Sequence, residues 1–453
     1  MTDAVALPAD AGLEVDLRPG LLHDRDYMSV LTGIYANYSF VLGKAGPFGL
    51  WTWLLVTVGH TLTALVFAEM AGRMPLTGCV YNWNNKLVNP AVGWFAGWMA
   101  LFAYAVGVSA VTATVFPVLR SLLGFSPDPN MTKYIGIALV LLQAAINIYG
   151  VRATALINLA AVGAEIGALV VFGLLIAAVL LIKGHPDFTL LTHIPAEPRP
   201  YLPGFLMACL LGSWTLLGFE GAADFSEETV NVRHVAPKGI IRSVLACSLL
   251  GFAFLSVLTL AIPDLKAVTA SADPATAIVS GVLGDTMAKI FLVLVLISVF
   301  ACALVNMTGA SRVLFAMARD GRFPGSAVFQ KVSAHHVPDR AIWLVTAVAC
   351  FFLWIADSAT ALYGAGAVLF ALFYLTTVLG FASGSAKVAP VAASFSLGRW
   401  HTPVIIGAAL WLAIEIGILT IPDEFHSVAA ATGGVLAAGF VLYLISGRRR
   451  RVG

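Results

Sequence analysis

The sequence predicts an all-α polytopic membrane protein with about 12 transmembrane helices, and three observations support that fold class. Charged residues make up 11% of the chain and apolar residues 59%, whereas soluble domains hold roughly 25% and 45–50%. The mean hydropathy is +0.90. Apolar stretches of about 20 residues, the length that crosses a bilayer, recur along the whole chain. No stretch is left for a large soluble domain, so we expect the function to lie within the membrane.

The chain begins with a polar segment, residues 1–25, that lacks the basic start, apolar middle and small-residue cleavage site of a secretory signal. We expect this segment to be a cytoplasmic tail. A first group of five spans follows within residues 26–185, and a second group of five lies within residues 200–385. Two further spans occupy residues 400–446, before a basic cytoplasmic tail at residues 447–453.

The apolar stretches set the limits of the predicted spans, and the loop at residues 263–285 is long enough for a short surface helix. Spans 1 to 12 are predicted at residues 27–43, 50–71, 91–119, 134–149, 155–182, 204–228, 239–262, 286–318, 341–356, 361–381, 403–421 and 428–445.

Basic residues are distributed unevenly about these spans. With both termini on one side, 19 of the 26 lysines and arginines fall on that side and seven on the other. Since cytoplasmic loops carry an excess of Lys and Arg, both termini are expected in the cytoplasm. The run Arg448–Arg451 is then a topology anchor beside anionic membrane lipid rather than a nucleic-acid site. We expect a plasma-membrane location, most simply a bacterial inner membrane.

Catalytic and metal-binding motifs are absent from the sequence. The five cysteines are scattered singly, and no HExxH, GxxxxGK[ST] or GxSxG pattern occurs. We therefore expect a protein that is not an enzyme and that has neither a cofactor nor a metal centre.

Span 6 is long and apolar enough to cross a membrane, yet it places an acid, Glu220, among three glycines, Gly212, Gly218 and Gly221. A charge in lipid is costly, and non-helical backbone at membrane depth is tolerated only where it is buried in protein or lines a cavity. The pattern therefore predicts an interrupted helix. A tightly packed, slightly kinked helix is the alternative.

Span 1 is short and uncharged, with Gly33 and Asn37 in its interior and an aromatic pair at Tyr35 and Tyr38. Spans 1 and 6 each open a group of five. Interrupted spans at corresponding positions of two halves are typical of inverted-repeat transporters, whose binding site lies where the repeats meet. The alternative for Gly33 is a simple packing role, which is common for a lone glycine in a membrane helix.

Three segments resemble the motifs of one family. They are FAEMAGRMPLTGCVYNW (residues 67–83) with VGWFAGW (92–98), LGFEGAADFSEETVNVRHVAPKGI (217–240) and SRVLFAMARDGRFP (311–324). They resemble the corresponding runs of the amino acid–polyamine–organocation superfamily, closest to its amino acid, GABA and choline branch. The resemblance implies a LeuT-type 5+5 inverted repeat with two additional helices. Two departures occur at the cytoplasmic surface, Cys79 and the Asn231–Val232 pair, where members usually carry a second Gly and Asn-Pro.

The interrupted helix also predicts what is bound. Its two halves present unpaired N–H groups at one end and unpaired C=O groups at the other, which matches a zwitterionic amino acid or a small amine. Trp214 and Phe219 could close over the ligand, with helix packing as the alternative role. The candidate substrate-binding residues are Thr32, Gly33, Ile34, Tyr35, Ala36, Asn37, Ser213, Trp214, Thr215, Leu216, Gly218, Phe219 and Glu220.

Span 1 departs from the family pattern at Thr32–Asn37, where many members carry a G-S/A-G-I-F run. The resemblance implies that this wall of the pocket meets the substrate carboxylate. The sequence therefore leaves the exact ligand open.

Two buried acids are candidates for coupling to a proton. Glu165 in span 5 lies near the place where several proton-coupled members carry a lysine, and Glu220 either takes the proton or holds the interrupted helix in shape. A neutral carboxyl hydrogen-bonded within the bundle is the alternative for Glu165. If sodium is the coupling ion instead, the candidate ligands are Thr308 and Ser311 in span 8.

Acids and a base near the cytoplasmic ends of spans 2 and 6 predict a gate. The candidate residues are Glu69, Arg73, Asp224 and Glu228, although Glu69 and Arg73 are four residues apart and a purely local pair is the alternative. Glu415 in span 11 is expected to make a packing or subunit contact. The oligomeric state is left open.

The expected function is import of an amino acid or small amine by alternating access, coupled to protons. The middles of spans 3, 8 and 10 lack acids, which favours a neutral amino acid, GABA or a monoamine over a dibasic ligand. A sodium-coupled symporter or exchanger of the same fold is the alternative. A channel, a transport-like sensor and a membrane-embedded enzyme are less well supported, because neither a charged pore ring nor a catalytic cluster is visible.

Overall fold

The computed structural model describes residues 30–449 except 77, 126–127, 150, 184–185, 197–199, 225–230, 336 and 392–393. In these ranges the chain consists of helices joined by short connections, and no strand occurs in them. The prediction of an all-α polytopic membrane protein is confirmed. The two terminal tails lie outside the described residues except for the end of the last helix.

The helices are numbered in chain order. They are α1 (Val30–Ala45), α2 (Thr52–Arg73), α3 (Cys79–Leu87), α4 (Pro90–Ala113), α5 (Val115–Leu123), α6 (Pro129–Tyr149), α7 (Val151–Lys183), α8 (Tyr201–Met207), α9 (Leu210–Thr215), α10 (Gly221–Asp224), α11 (Val232–Leu260), α12 (Leu265–Ala270), α13 (Pro274–Leu283), α14 (Asp285–Arg319), α15 (Ser326–Phe329), α16 (Asp339–Ile355), α17 (Ala359–Gly384), α18 (His401–Ile418) and α19 (His426–Arg449). Short 3-10 helices lie at Pro47–Trp51, Phe188–Thr192, Ser385–Lys387, Gly398–Trp400 and Asp423–Phe425.

Among the described residues, nine helices are long and apolar enough to cross a membrane by themselves. The other predicted spans are shorter: α1 has 16 residues, α16 has 17 residues, and span 6 is divided among α8, α9 and α10. The count of about 12 spans therefore stays a prediction, as do the 5+5 repeat and the division of the chain into two groups of five.

Several helices extend beyond their apolar stretches because polar residues outside those stretches cap them. Asp128 accepts the backbone N–H groups of Asn130 and Met131 at 2.9 Å each, so α6 begins five residues before predicted span 4. In the loop after α11, Asp264 and Asp273 cap two short helices in the same way, where one surface helix was expected.

Helix α4 lies at the centre of the bundle and packs along α14, α17 and α16. Helix α2 packs along α11, and α1 packs against α9. These contacts join spans 2, 3 and 1 to spans 7, 8 and 6, so corresponding spans of the two predicted halves are neighbours. The most buried part of the bundle is thus the place where the two groups meet.

The predicted interruption in span 1 is not present between Val30 and Ala45, because α1 is one uninterrupted helix over these residues. Gly33 has a packing role instead. A Cβ atom on Gly33 would lie 2.1 Å from the Thr215 Oγ1 atom of α9. The missing side chain therefore lets α1 and α9 approach closely, and the chain before Val30 lies outside the described residues.

Candidate functional site

The predicted interruption of span 6 is present. Helix α9 ends at Thr215 and α10 begins at Gly221, with residues 216–220 in a non-helical conformation between them. Gly218 has a φ of +85°, which a residue with a Cβ atom adopts only at a cost. Glycine at this position therefore allows the chain to turn within the bundle.

Glu220 follows this turn and anchors it to two other helices. Its side chain is buried, and its Oε1 atom accepts a hydrogen bond from the Tyr104 hydroxyl of α4 at 2.7 Å. Its Oε2 atom accepts the hydroxyl of Tyr374 on α17. The Tyr374 oxygen in turn accepts the backbone N–H of Gly218 at 3.1 Å. The two hydroxyl groups thus satisfy both oxygens of the buried carboxyl group. The network holds the interrupted segment in one conformation.

Aromatic rings surround the interrupted segment. The Phe219 ring is fully buried and stacks on Tyr374 with the ring centroids 4.8 Å apart. Trp214 is half-buried, and its ring centroid lies 5.3 Å from that of Tyr363. A Cβ atom on Gly366 would lie 2.5 Å from the Trp214 ring, so a glycine makes room for that indole. Phe219 thus packs in the core, whereas Trp214 lies at the edge of the packed region.

Replacing Tyr374 by phenylalanine is expected to lower the thermal unfolding midpoint, because Glu220 loses a donor and the Gly218 N–H loses its acceptor. Leaving buried polar groups unpaired costs about 1–3 kcal/mol. The matched control is Tyr363→Phe on the same helix, whose hydroxyl bonds to Thr114 Oγ1 at 2.8 Å. Thr114 has a second partner in the Ala110 carbonyl at 3.3 Å, so a smaller loss is expected. Equal losses in the two variants would count against this network.

Glu165 lies on α7 at the place where that helix meets α1 and α14. Its Oε1 atom accepts the backbone N–H of Leu31 at 2.8 Å, and its Oε2 atom accepts the Ser298 hydroxyl at 3.0 Å. The Ser298 oxygen is 2.9 Å from Thr32 Oγ1. Leu31 is in the first turn of α1, where a backbone N–H has no acceptor within its own helix. A buried carboxyl group therefore joins α7, α1 and α14.

The two residues named for a sodium site lie elsewhere on α14. Thr308 donates to Asn147 Oδ1 at 2.7 Å and to the Leu304 carbonyl at 2.9 Å. Ser311 donates to the Thr308 carbonyl at 2.8 Å. The α14 hydroxyl that bonds to α1 belongs to Ser298, so the structure does not bring Thr308 and Ser311 to α1. Within the described residues, no group of three or more His, Cys, Asp or Glu side chains is arranged to hold a metal ion.

Two polar atoms on the facing helices α1 and α9 are buried without a hydrogen-bond partner in the described chain. They are the Asn37 Oδ1 atom and the Ser213 Oγ atom. Asn37 is one turn beyond Gly33 on the same helix face, and its amide group reaches the Gly33 carbonyl at 3.4 Å. Buried polar atoms are nearly always hydrogen-bonded, so unpaired ones in a native protein indicate a place for a water or a ligand.

The other candidate substrate residues make protein contacts. Ile34 and Leu216 are buried in the core, Ala36 packs against it, and the Thr215 hydroxyl donates to the Leu211 carbonyl of its own helix. Thr32 belongs to the Glu165 cluster described above.

At the predicted outer end of the bundle, Tyr35 donates to Asp273 Oδ2 at 2.6 Å, and Ser121 donates to the same oxygen at 2.8 Å. These bonds join α1, α5 and α13. Lys44 at the end of α1 donates to Glu424 at 2.6 Å and holds the pKa of that carboxyl below its usual range. Tyr35 is thus tied to the segment before α13 by its hydroxyl group.

At the predicted cytoplasmic end, Arg73 donates to Glu69 Oε1 at 2.5 Å, as their spacing suggested. The pair is more than local. Arg73 also reaches the carbonyls of Ser385 and Val388 at 3.3 and 3.1 Å, and His401 Nδ1 lies 3.2 Å from Glu69 Oε2. These contacts tie α2 to the ends of α17 and α18.

The other two predicted gate residues cannot be placed in this cluster. Glu228 and the side chain of Asp224 lie outside the described residues.

One buried pair was missed by the sequence argument. His60 on α2 lies between the Leu216 carbonyl, 2.9 Å from its Nδ1 atom, and Glu415 of α18, 3.0 Å from its Nε2 atom. Glu415 was expected to make a packing or subunit contact, and it faces inward instead. A histidine inside a predicted span was a usable signal, since ionisable residues at membrane depth are rare and usually functional.

A family model for amino acid permeases matches residues 27–444. The chain belongs to the amino acid permease family. The superfamily resemblance is thereby confirmed, and so is the expectation that the protein is a transporter and not an enzyme. The permease is a multi-pass membrane protein, and its membership of this family indicates that it transports amino acids or amines.

Three relatives illustrate the range of the similarity. The permease is 26% identical to an amino-acid permease BAT1 homolog of Oryza sativa subsp. japonica, over 93% of this chain and 88% of the relative. It is 26% identical to the branched-chain amino acid permease BcaP of Lactococcus lactis, over 73% and 74% of the two chains. It is 24% identical to the low-affinity putrescine importer PlaP of Escherichia coli, over 80% and 79%.

Proposed function

We propose that the permease is a secondary active transporter that imports a neutral amino acid, GABA or a small monoamine across the plasma membrane. It works by alternating access and is driven by protons. One observation carries the proposal: α1 packs on α9 of the interrupted span 6, and these two helices bury two unpaired polar atoms, Asn37 Oδ1 and Ser213 Oγ, the latter in the last turn of α9.

The chemistry of these groups selects the substrate class. The last carbonyl groups of α9 carry the negative end of a helix dipole and accept hydrogen bonds from an ammonium group. The Asn37 oxygen is a further acceptor, and the Ser213 hydroxyl can donate to a carboxylate or a carbonyl oxygen. An amine with a small polar partner group satisfies this set without a charged side chain. One relative is named for branched-chain amino acids, which are neutral amino acids of this class. Another is named for putrescine, a diamine outside it.

Glu165 is the proposed carrier of the coupling proton. As a carboxylate it accepts from Leu31 and Ser298, and Thr32 can then donate to Ser298. A protonated Glu165 has a neutral acceptor in place of a charged one, which weakens the bond to the Leu31 N–H. Binding a proton thus loosens the contact between α7 and α1. Because α1 also packs on α9, that loosening reaches the proposed substrate position.

Alternating access requires the two ends of the bundle to open in turn. The outer contacts of Tyr35 with Asp273 and the cytoplasmic contacts of Arg73 with Glu69 and α17 join helices that would separate in those steps. The contacts at the outer end involve α1, whose position Glu165 controls. We therefore assign the outer contacts to the proton-linked step and the cytoplasmic contacts to release.

A thermal-stability screen of the purified permease tests the substrate class. A ligand at about 100 times its Kd stabilises the folded state by about 2.7 kcal/mol. Neutral amino acids, GABA or monoamines are expected to raise the unfolding midpoint, and Ser213→Ala is expected to reduce that rise. Ser248→Ala is the matched control, because the Ser248 hydroxyl on α11 is also buried and unpaired among the described residues. Failure of the whole panel, or equal responses of both variants, argues against this site.

A further inference from the structure

His60 and Glu415 form a buried acid–base pair that the transport cycle proposed above does not use. The side chains are 0% and 2% exposed, and His60 Nε2 lies 3.0 Å from Glu415 Oε1. The two residues come from α2 and α18, which lie far apart in the chain. An isolated charge at such a place is expensive, so the pair is neutral as a whole or its charges compensate each other.

The geometry determines how many protons the pair holds. The Leu216 carbonyl can only accept, so the His60 Nδ1 atom, 2.9 Å away, carries a proton. The contact between Nε2 and Glu415 then needs a second proton. It resides either on Nε2, opposite a carboxylate, or on Oε1, opposite a neutral imidazole. Without that proton two lone pairs would face each other at 3.0 Å. The observed contact therefore requires one shared, removable proton.

The surroundings of the pair favour the neutral arrangement. The second carboxyl oxygen of Glu415, Oε2, is buried and has no hydrogen-bond partner in the described chain. A carboxylate at this place would leave a charged oxygen uncompensated, whereas a carboxylic acid would not. The titratable groups that face the pair from neighbouring elements are Cys209 before α9 and Glu220 after it. The rings of Phe219 and Trp411 cover His60 with centroid distances of 6.4 Å each.

The pair is attached to the moving part of the proposed transport site. Leu216 is the C-cap residue that follows α9, so the interruption leaves its carbonyl without a partner within its own helix. His60 satisfies that carbonyl and holds it against α2. Glu415 orients the imidazole from α18, which lies outside the two predicted groups of five. Loss of the shared proton would set the Nε2 lone pair against the Glu415 carboxylate, so the imidazole that holds the end of α9 would lose its support from α18.

We propose that His60 and Glu415 form a second proton-binding site, which positions the interruption of span 6 when it is protonated. The effect of this proton on transport rests on the proposed transport function, whereas the existence of the proton site does not. His60 and Glu415 are positioning residues in this scheme, because neither needs to touch the substrate. The site predicts that the interrupted segment loses its fixed position at alkaline pH.

The test compares the unaltered permease with Glu415→Gln, whose amide group can donate to His60 Nε2 at every pH. The first measurement is the thermal unfolding midpoint between acid and alkaline pH. The unaltered permease is expected to lose stability as pH rises through the titration of the pair, since over that range the folded state holds more protons than the unfolded chain. The variant is expected to lose less. The unfolding midpoint of the unaltered permease should therefore fall relative to that of the variant as pH rises.

The second measurement is exchange of labelled substrate across proteoliposomes held at the same pH on both sides. Above the titration midpoint of the His60–Glu415 pair, the fraction of molecules that hold the shared proton falls about tenfold per pH unit. The exchange rate of the unaltered permease should fall in proportion. Glu415→Gln should flatten that alkaline limb. Asp423→Asn is the matched control, because Asp423 forms an exposed pair with His426 at 3.5 Å and should leave both profiles unchanged.

The outcomes distinguish a proton-binding role of the His60–Glu415 pair from a purely structural one. A Glu415→Gln variant with the same pH profile as the unaltered permease, merely shifted down at every pH, would mean that the pair is only structural. Absence of exchange in every protein, including the Asp423→Asn control, would count against the transport function and leave the thermal profile to decide the proton site. If Glu415→Gln does not fold, the double variant His60→Gln with Glu415→Gln takes its place, because neither position can then titrate. For the proposal to stand, the pH profiles of its unfolding midpoint and of its exchange rate must lack the alkaline decline.

Discussion

Replacing Glu165 by glutamine is expected to abolish proton-driven accumulation of substrate while leaving exchange of substrate across the membrane. The Gln amide can accept from the Leu31 N–H and pair with Ser298, so the fold should be kept. It cannot titrate. A gradient of two pH units with one proton per cycle sustains accumulation of up to about 100-fold, since each unit is worth about 1.36 kcal/mol. In the variant, the internal and external substrate concentrations should be about equal.

The measurement is the ratio of internal to external labelled substrate in proteoliposomes at steady state. Glu424→Gln serves as the matched control, because Glu424 is an exposed glutamate at the outer end and bonds to Lys44. It should accumulate substrate as the unaltered permease does. If Glu165→Gln still accumulates substrate under a proton gradient, Glu165 is not the proton carrier.

The second large effect is expected at Gly33. A Cβ atom there would lie 2.1, 2.6 and 2.7 Å from three atoms of Thr215. Gly33→Ala must therefore move α1 away from α9, which costs about 1–3 kcal/mol for overpacking. Because the proposed substrate lies between these helices, uptake should fall by about 5- to 150-fold. Gly43→Ala is the control on the same helix, since no atom lies within 4 Å of its added Cβ.

A rescue separates the contact from other effects of the substitution. Thr215→Gly removes all three atoms that a Cβ on Gly33 would meet. Combined with Gly33→Ala, it should restore a large part of the lost uptake, although a glycine in a helix costs about 1 kcal/mol. Uptake by Gly33→Ala equal to that of the unaltered permease would show that close packing of α1 on α9 is not required for transport.

The fold class follows from the sequence because a bilayer imposes a simple length and composition rule on each span. The turn at Gly218 was also predictable, since an acid among glycines in an apolar stretch is costly without a structural reason. The partners of Glu220 were not predictable, because Tyr104 and Tyr374 come from helices more than a hundred residues away. Which faces of those helices meet depends on packing that no local pattern encodes.

Gly33 illustrates the limit of pattern reasoning. The same residue type predicts an interruption in both spans 1 and 6, yet Gly218 makes a turn with positive φ and Gly33 lies within a regular helix. The difference depends on Thr215, a contact 182 positions along the chain that only the folded protein reveals. His60 was overlooked for a related reason, because a single histidine gains a meaning only once Glu415 is placed beside it.

The most direct test of the proposed function is uptake of labelled substrate into sodium-free proteoliposomes with an acidic exterior. The substrate is the compound that most raises the thermal unfolding midpoint. We expect the internal concentration to exceed the external one, to fall to the external one when a protonophore is added, and to be unaffected by sodium. Equilibration without accumulation would indicate a channel, and accumulation that requires sodium would contradict proton coupling.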